Sequence, residues 1–193
     1  MFPVEAFRST VLKFVAILQE YSIPFHLTGG VTSTAYGEPR MTQDIDIVVD
    51  NESLSSCLNA FIVSLEQNDF MKSDDSIRQA VASRGMFQLL DNSESLKLDI
   101  YARELVVGEL QRSRPMEVFE GVTLPVVARA DAAISKLFWI QKGSHKSRRD
   151  LRKIWEGSSD KERGEISAAA MKAKIAELLD EVLKEPDEID TGI

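Results

Sequence analysis

Asp44 and Asp46 sit two apart in the alternating run Asp44-Ile-Asp-Ile-Val-Val-Asp50, and Asp99 occupies a second such run, Leu96-Lys-Leu-Asp-Ile-Tyr101. Residues two apart in a strand share a face, so Asp44 and Asp46 point together while Ile45, Ile47 and Val49 supply the buried side. In the second run Leu98 and Ile100 face the core, and Asp99 lies on the other side with Lys97 and Tyr101. If the two strands are neighbours, three carboxylates converge. Two unit charges ~4 Å apart repel by about 4 kcal/mol at an effective dielectric near 20, and a divalent cation removes that repulsion. Mg²⁺ (or Mn²⁺) takes oxygen ligands, commonly one or two carboxylates plus substrate phosphates. Two such ions ~3.5–4 Å apart can clamp the attacking and leaving oxygens of an in-line phosphoryl displacement. Taken alone, Asp-x-Asp also describes two solvent-facing strand residues. The residues upstream argue against that reading.

Gly29-Gly30 separates the short apolar run Phe25-His-Leu-Thr28 from a helical stretch ending at Tyr36. Backbone N–H groups at such a turn can approach and cradle phosphate oxygens, and Ser33, one turn on, adds a hydroxyl donor. Alone, Gly-Gly is a turn. A spacer of thirteen residues separates Gly30 from Asp44-Ile-Asp46. Phosphate charge needs bases, and the candidates are Arg40, in the loop just before the Asp-x-Asp strand, then Lys136 and Arg149. Lys136 can equally be a solvated helix lysine, and Arg149-Asp150 an ordinary helix-surface pair. His26 reads as a strand residue with a satisfied ring nitrogen, and His145, without Cys or His companions, makes no zinc site. Cys57 reads as a core residue, and Trp139 and Trp155 as packing residues.

The elements that must position these groups follow from periodicity. Helical spacing covers about 4 to 21, with Phe7, Val11, Phe14, Val15 and Leu18 as its stripe. A strand over Phe25–Thr28, a helix to Tyr36, a loop over 37–43 and a strand over Asp44–Asp50 come next. A helix is expected from about 52 to 67, and 70–84 has no firm period. Residues 86–90 and 96–101 form a hairpin across Asp91-Asn-Ser-Glu94. A short helix from 104 to 111 leads to strands over 117–119 and 122–127. Helices over 128–140, 147–155 and 162–184 complete the chain. This order predicts an α/β (α+β) fold, a mixed β-sheet flanked by helices. Residues 1–128 are expected to form the core and 129–193 a C-terminal helical region packed on it.

The 193 residues are enough to bury a core without disulfides or structural metal. A single cysteine forms no internal disulfide and suits a reducing compartment, so a cytoplasmic location is expected. The apolar run Phe14–Leu18 is far too short to span a bilayer, and no membrane association is expected. A net charge of −8 argues against broad binding to duplex DNA. Lys136 to Lys153 nevertheless holds seven Lys or Arg and one acid, Asp150. A local basic patch on an acidic chain fits capture of one phosphorylated ligand.

Leu27-Thr-Gly-Gly30, the thirteen-residue spacer, Asp44-Ile-Asp46 and the distal Asp99 together resemble the signature of the polymerase-β-like nucleotidyltransferase superfamily. Within it, Gly29 to Asp46, with Arg40-Met-Thr-Gln-Asp-Ile-Asp46, looks like bacterial proteins of the abortive-infection and toxin–antitoxin type. Lys136-Leu137 and Arg149-Asp150 match their later helices, and the resemblance spans roughly residues 25 to 155. It implies a nucleotidyltransferase fold and two-metal transfer of a nucleoside monophosphate from an NTP to an acceptor: nucleic acid, protein or small molecule. Asp44 and Asp46 would ligate metal, and Asp99 would ligate one metal and help deprotonate the acceptor. Gly29, Gly30, Ser33, Arg40, Lys136 and Arg149 would meet the nucleotide. An antitoxin-like protein partner is implied as well. One departure is that Gly30 is followed by Val-Thr-Ser with no nearby base, where many active members have Gly-Ser and then an Arg. That departure keeps open a binding module without turnover, or a partner-binding protein of a toxin–antitoxin pair.

Overall fold

The structure, a computed structural model, describes residues 4–37 and 44–185. Its elements are α1 (Val4–Glu20), β1 (Phe25–Thr28), α2 (Gly30–Tyr36), β2 (Asp44–Val49), α3 (Asn51–Ser56), α4 (Leu58–Gln67), β3 (Phe70–Met71) and α5 (Asp74–Ser83). The chain continues through β4 (Met86–Asp91), β5 (Leu96–Tyr101), α6 (Glu109–Arg112), β6 (Arg114–Phe119) and β7 (Val122–Val126). It ends with α7 (Arg129–Gln141), α8 (Lys146–Glu156), α9 (Asp160–Lys172) and α10 (Ala176–Lys184). The strands form one mixed sheet in the order β3-β4-β5-β2-β1-β7-β6, the α/β architecture that the alternation of patterns predicts.

β2 lies mid-sheet, parallel to β5 and antiparallel to β1. Its Ile45 and Ile47, with Leu98 and Ile100 of β5 and Leu27 of β1, are fully buried. They join one apolar core with Phe14 and Leu18 of α1 and Phe61 and Leu65 of α4. Phe14 anchors it, with ring centroids 6.3 Å from Phe61 and 5.9 Å from Phe70 in edge-to-face contacts. The sheet edges are blunted: β3 has two residues, and β6 carries Pro115, which removes a backbone donor there.

Four elements depart from the sequence expectation, each for a local reason. The helix expected over 52–67 is two helices broken at Cys57. There Ser56 Oγ and Cys57 Sγ both donate to the Ser53 carbonyl, competing with the helical ladder. The helix expected over 162–184 is likewise two. Lys174 adopts φ 59°, Lys174 N–H donates to Met171 O, and Ile175 N–H donates to Ala170 O while its side chain is buried. That is a Schellman-type end without glycine. Within 70–84, Ser73 caps α5 by accepting from Ser76 N, and Asp74 and Asp75 occupy the favourable first turn. The helix expected over 104–111 shrinks to Glu109–Arg112. Upstream of it and in its first turn, backbone donors are met by carboxylates, Glu104 accepting from Gly108 and Leu110 and Glu109 from Leu105. Among the described residues no helix is long and apolar enough to cross a membrane.

Candidate active site

Register puts the three aspartates on one face. In the parallel β2–β5 pair, Asp46 stands opposite Asp99 and Asp44 opposite Lys97, and on the other side Thr28 of β1 stands opposite Asp46. Neighbouring strands are ~4.8 Å apart, so Asp46 and Asp99 are cross-strand neighbours. Lys97 Nζ bridges the cluster, 3.2 Å from Asp44 Oδ1 and 3.2 Å from Asp99 Oδ2. Gln88 of β4 donates to the other Asp99 oxygen at 3.0 Å, and Tyr101 donates its hydroxyl to Asp46 Oδ1 at 3.3 Å. Burial lifts the Asp46 carboxyl above the ordinary carboxylate range, Asp99 and Asp44 lift it further, and Lys136 opposes them. Burial and the Asp46 charge push the Tyr101 phenol up, which keeps it a donor.

Gly29 shows why a glycine precedes α2. Its φ is +62°, and a Cβ there would stand 1.9 Å from Asp46 Oδ2. The turn and the carboxylate therefore occupy adjoining space that no side chain could share. Gly30 opens α2 and is buried, and N–H groups in a first helical turn lack an intrahelical acceptor. Ser33 is buried with Oγ unpartnered among the described residues. Lys136 is buried on α7 and reaches across to this turn, its Nζ 2.7 Å from Asp150 Oδ2 of α8 and 3.4 Å from the Gly29 carbonyl.

Asp44, Asp46, Asp99, Gly29 and Lys136 therefore meet in one place. Arg149 is exposed on α8, one residue from the inward-facing Asp150, and Arg40 lies outside the described residues. Part of the basic run is spent on internal ties: Arg148 pairs with Glu181 and Glu185, and Arg152 with Glu185, fastening α8 to α10. Lys97, Gln88 and Tyr101 are the site partners that the sequence reading left without a role. Their signal lay in the alternation that carries Asp99. The expectation of a satisfied ring nitrogen on His26 fails. The ring is fully buried and neither nitrogen has a hydrogen-bond partner among the described residues, Glu109 Oε1 standing 3.8 Å from Nε2.

All the acidic ligands on offer are hard carboxylate oxygens, which suit Mg²⁺ or Mn²⁺. As the side chains stand, no group of three His, Cys, Asp or Glu among the described residues is disposed to hold a metal ion; Lys97 supplies the positive charge instead. A cavity of about 980 Å³ lies along α7, α9 and β6, lined by residues that include Arg112, Asp131, Phe138 and Lys172 and by none of the three aspartates.

The family model described as nucleotidyl transferase AbiEii toxin, type IV toxin–antitoxin system, matches residues 13–190. A search of curated proteins returns no match. Among solved structures, the antibiotic-resistance factor ANT(2'')-Ia is similar at 14% identity and a TM-score of 0.52, over 95% of this chain and 93% of that one. The lincosamide antibiotic adenylyltransferase LnuA, solved with lincomycin bound, is similar at 13% identity and a TM-score of 0.51, over 77% of this chain and 96% of that one. At such identities the likeness is one of fold. With the family match running through nearly the whole chain and the fold agreeing with it, the chain belongs to the AbiEii nucleotidyltransferase toxin family, within the polymerase-β-like superfamily, and is a nucleotidyltransferase.

Proposed function

We propose that the chain transfers a nucleoside monophosphate from an NTP to an acceptor hydroxyl in a reaction that depends on Mg²⁺ or Mn²⁺. The observation that carries this reading is the β2–β5 register, with Asp46 beside Asp99 and Asp44 beside Lys97, next to a glycine whose missing Cβ leaves room for the Asp46 carboxylate. Asp44, Asp46 and Asp99 would hold the metal, which when bound screens the phosphate charge and lowers the pKa of the attacking oxygen. The first turn of α2, from Gly29 and Gly30 to Ser33, would receive phosphate oxygens, and Lys136 would add a positive charge beside them. Arg40 and Arg149 complete the proposed nucleotide contacts. Asp99 would accept the acceptor's proton as its oxygen bonds to the α-phosphorus. The bond from that phosphorus to pyrophosphate breaks, and pyrophosphate leaves with the electron pair. Lys136 supplies near Gly29 the base that is missing directly after Gly30. We read residues 129–193 as a helical region packed on the core of 1–128, and the type IV toxin family supports an antitoxin-type partner.

The test is transfer of labelled NMP from each NTP into a cell extract with Mg²⁺ or Mn²⁺. Asp44→Asn and Asp46→Asn remove charge with little change of volume, so the fold should persist while transfer falls by roughly 10²–10³-fold or more. Folded variants that keep wild-type transfer would overturn the assignment.

A further inference from the structure

We propose that Lys97 is the resting counter-ion of the carboxylate cluster, displaced when a divalent ion enters and then paired with the phosphates of the nucleotide. This rests on the nucleotidyl-transfer reading above and adds a residue and an order of binding to it. The Lys97 ammonium lies 3.2 Å from Asp44 Oδ1 and 3.2 Å from Asp99 Oδ2, joining carboxylates of two neighbouring strands. Its place follows from register, since Lys97 stands opposite Asp44 as Asp99 stands opposite Asp46. Gln88 already holds the second Asp99 oxygen and Tyr101 holds Asp46 Oδ1. Lys97 holds one oxygen of Asp44 and one of Asp99, so a metal bridging those two oxygens must displace it. An ammonium and a divalent ion at the same oxygens repel strongly at contact distances, so one excludes the other.

The lysine side chain is 38% exposed and free to swing on its four-carbon stem, so leaving the carboxylates does not require the core to open. It then needs an anion, and the incoming triphosphate is one. Metal alone must displace the ammonium without compensation, whereas metal with nucleotide gives it a new partner. Each ligand consequently raises the affinity for the other, and the coupling is reciprocal.

The experiment titrates Mn²⁺ into the full-length protein by electron paramagnetic resonance, with and without a non-hydrolysable NTP analogue, and circular dichroism checks folding. Lys97→Gln should bind Mn²⁺ without nucleotide roughly fivefold to tenfold more tightly than wild type, the scale of two partly exposed ion pairs. The gain in Mn²⁺ affinity on adding nucleotide should shrink by the same factor, and Lys97→Arg should retain it. Unchanged or weaker Mn²⁺ binding by Lys97→Gln, beside a wild type that does bind, overturns the role of Lys97 alone. A wild type that binds no Mn²⁺ even with nucleotide, or an Asp44→Asn variant that binds it as wild type does, overturns the metal-dependent reading and this proposal with it.

Discussion

At the residue scale the site turns on one missing side chain. Gly29 combines φ +62° with a Cβ position 1.9 Å from Asp46 Oδ2 and 2.4 Å from its Cγ. Alanine there faces two penalties of different kinds. The backbone, at φ 62° and ψ −122°, lies outside the left-handed α region in a conformation that L-residues rarely adopt, and it costs on the order of 1–3 kcal/mol or more for alanine. The Asp46 carboxylate can rotate away, but Asp46 Cβ, 2.7 Å from the added methyl, moves only with β2, so the steric penalty falls on folding as well as on function. Gly29→Ala should therefore lower the melting temperature clearly and also push Asp46 from its place. A displacement of ~1 Å in a reacting group costs on the order of 10²-fold in rate. Labelled NMP transfer and thermal melts on one preparation check this. A variant that melts early yet keeps its transfer rate would mean that the glycine serves the backbone alone.

At the scale of elements, the crossing from β5 to β6 sets the buried Glu109 carboxyl 3.8 Å from the buried His26 ring of β1. Burial lowers His26 from 6.5 to about 4, and burial raises Glu109 from 4.5 to about 7. Between about pH 4 and 6.5 the unfolded chain binds the extra proton at His26, so stability at this residue is lost as pH falls through that window. Between 4.5 and about 7 the folded chain binds the extra proton at Glu109, so stability there is lost as pH rises. The two slopes oppose in wild type. Glu109→Gln should expose the His26 slope, its urea midpoint falling relative to wild type as pH drops from about 6.5 to 4.5, and His26→Leu should expose the opposite one. Parallel profiles in all three proteins would show that neither group titrates with folding. Nothing in the sequence points to this pair, because a histidine in an apolar strand carries no sign of what packs above it. The aspartates were legible because a period of two fixes their face without knowledge of a partner strand. Which strands are neighbours was not, and Lys97 acquires its role only from register. The helix breaks at Cys57 and Lys174 were hidden for a related reason. Neither has a glycine or proline, and both depend on local side-chain bonds or on burial of Ile175.

At the scale of the whole molecule, one ion pair joins the C-terminal helices to the turn that begins α2. Lys136 on α7 and Asp150 on α8 are each 6% exposed and meet at 2.7 Å, and the same ammonium lies 3.4 Å from the Gly29 carbonyl. A buried pair of this kind is weak support for stability in itself, but breaking it from one side is costly. Lys136→Met removes the ammonium from the buried Asp150 carboxylate and should destabilise the fold by up to about 3–5 kcal/mol. The double variant Lys136→Met with Asp150→Leu replaces both charges by apolar groups of similar bulk and should recover most of that loss. Activity separates the two roles of the lysine. If Lys136 meets nucleotide phosphate, the double variant is stable and inactive, with NTP binding weakened to the same extent as in the single variant. If the pair only braces α7 against α8, transfer returns along with stability. Chemical denaturation gives the first quantity and nucleotide titration the second. Recovery of both would remove Lys136 from the nucleotide site and leave Arg40, Arg149 and Lys97 as the remaining bases proposed for it.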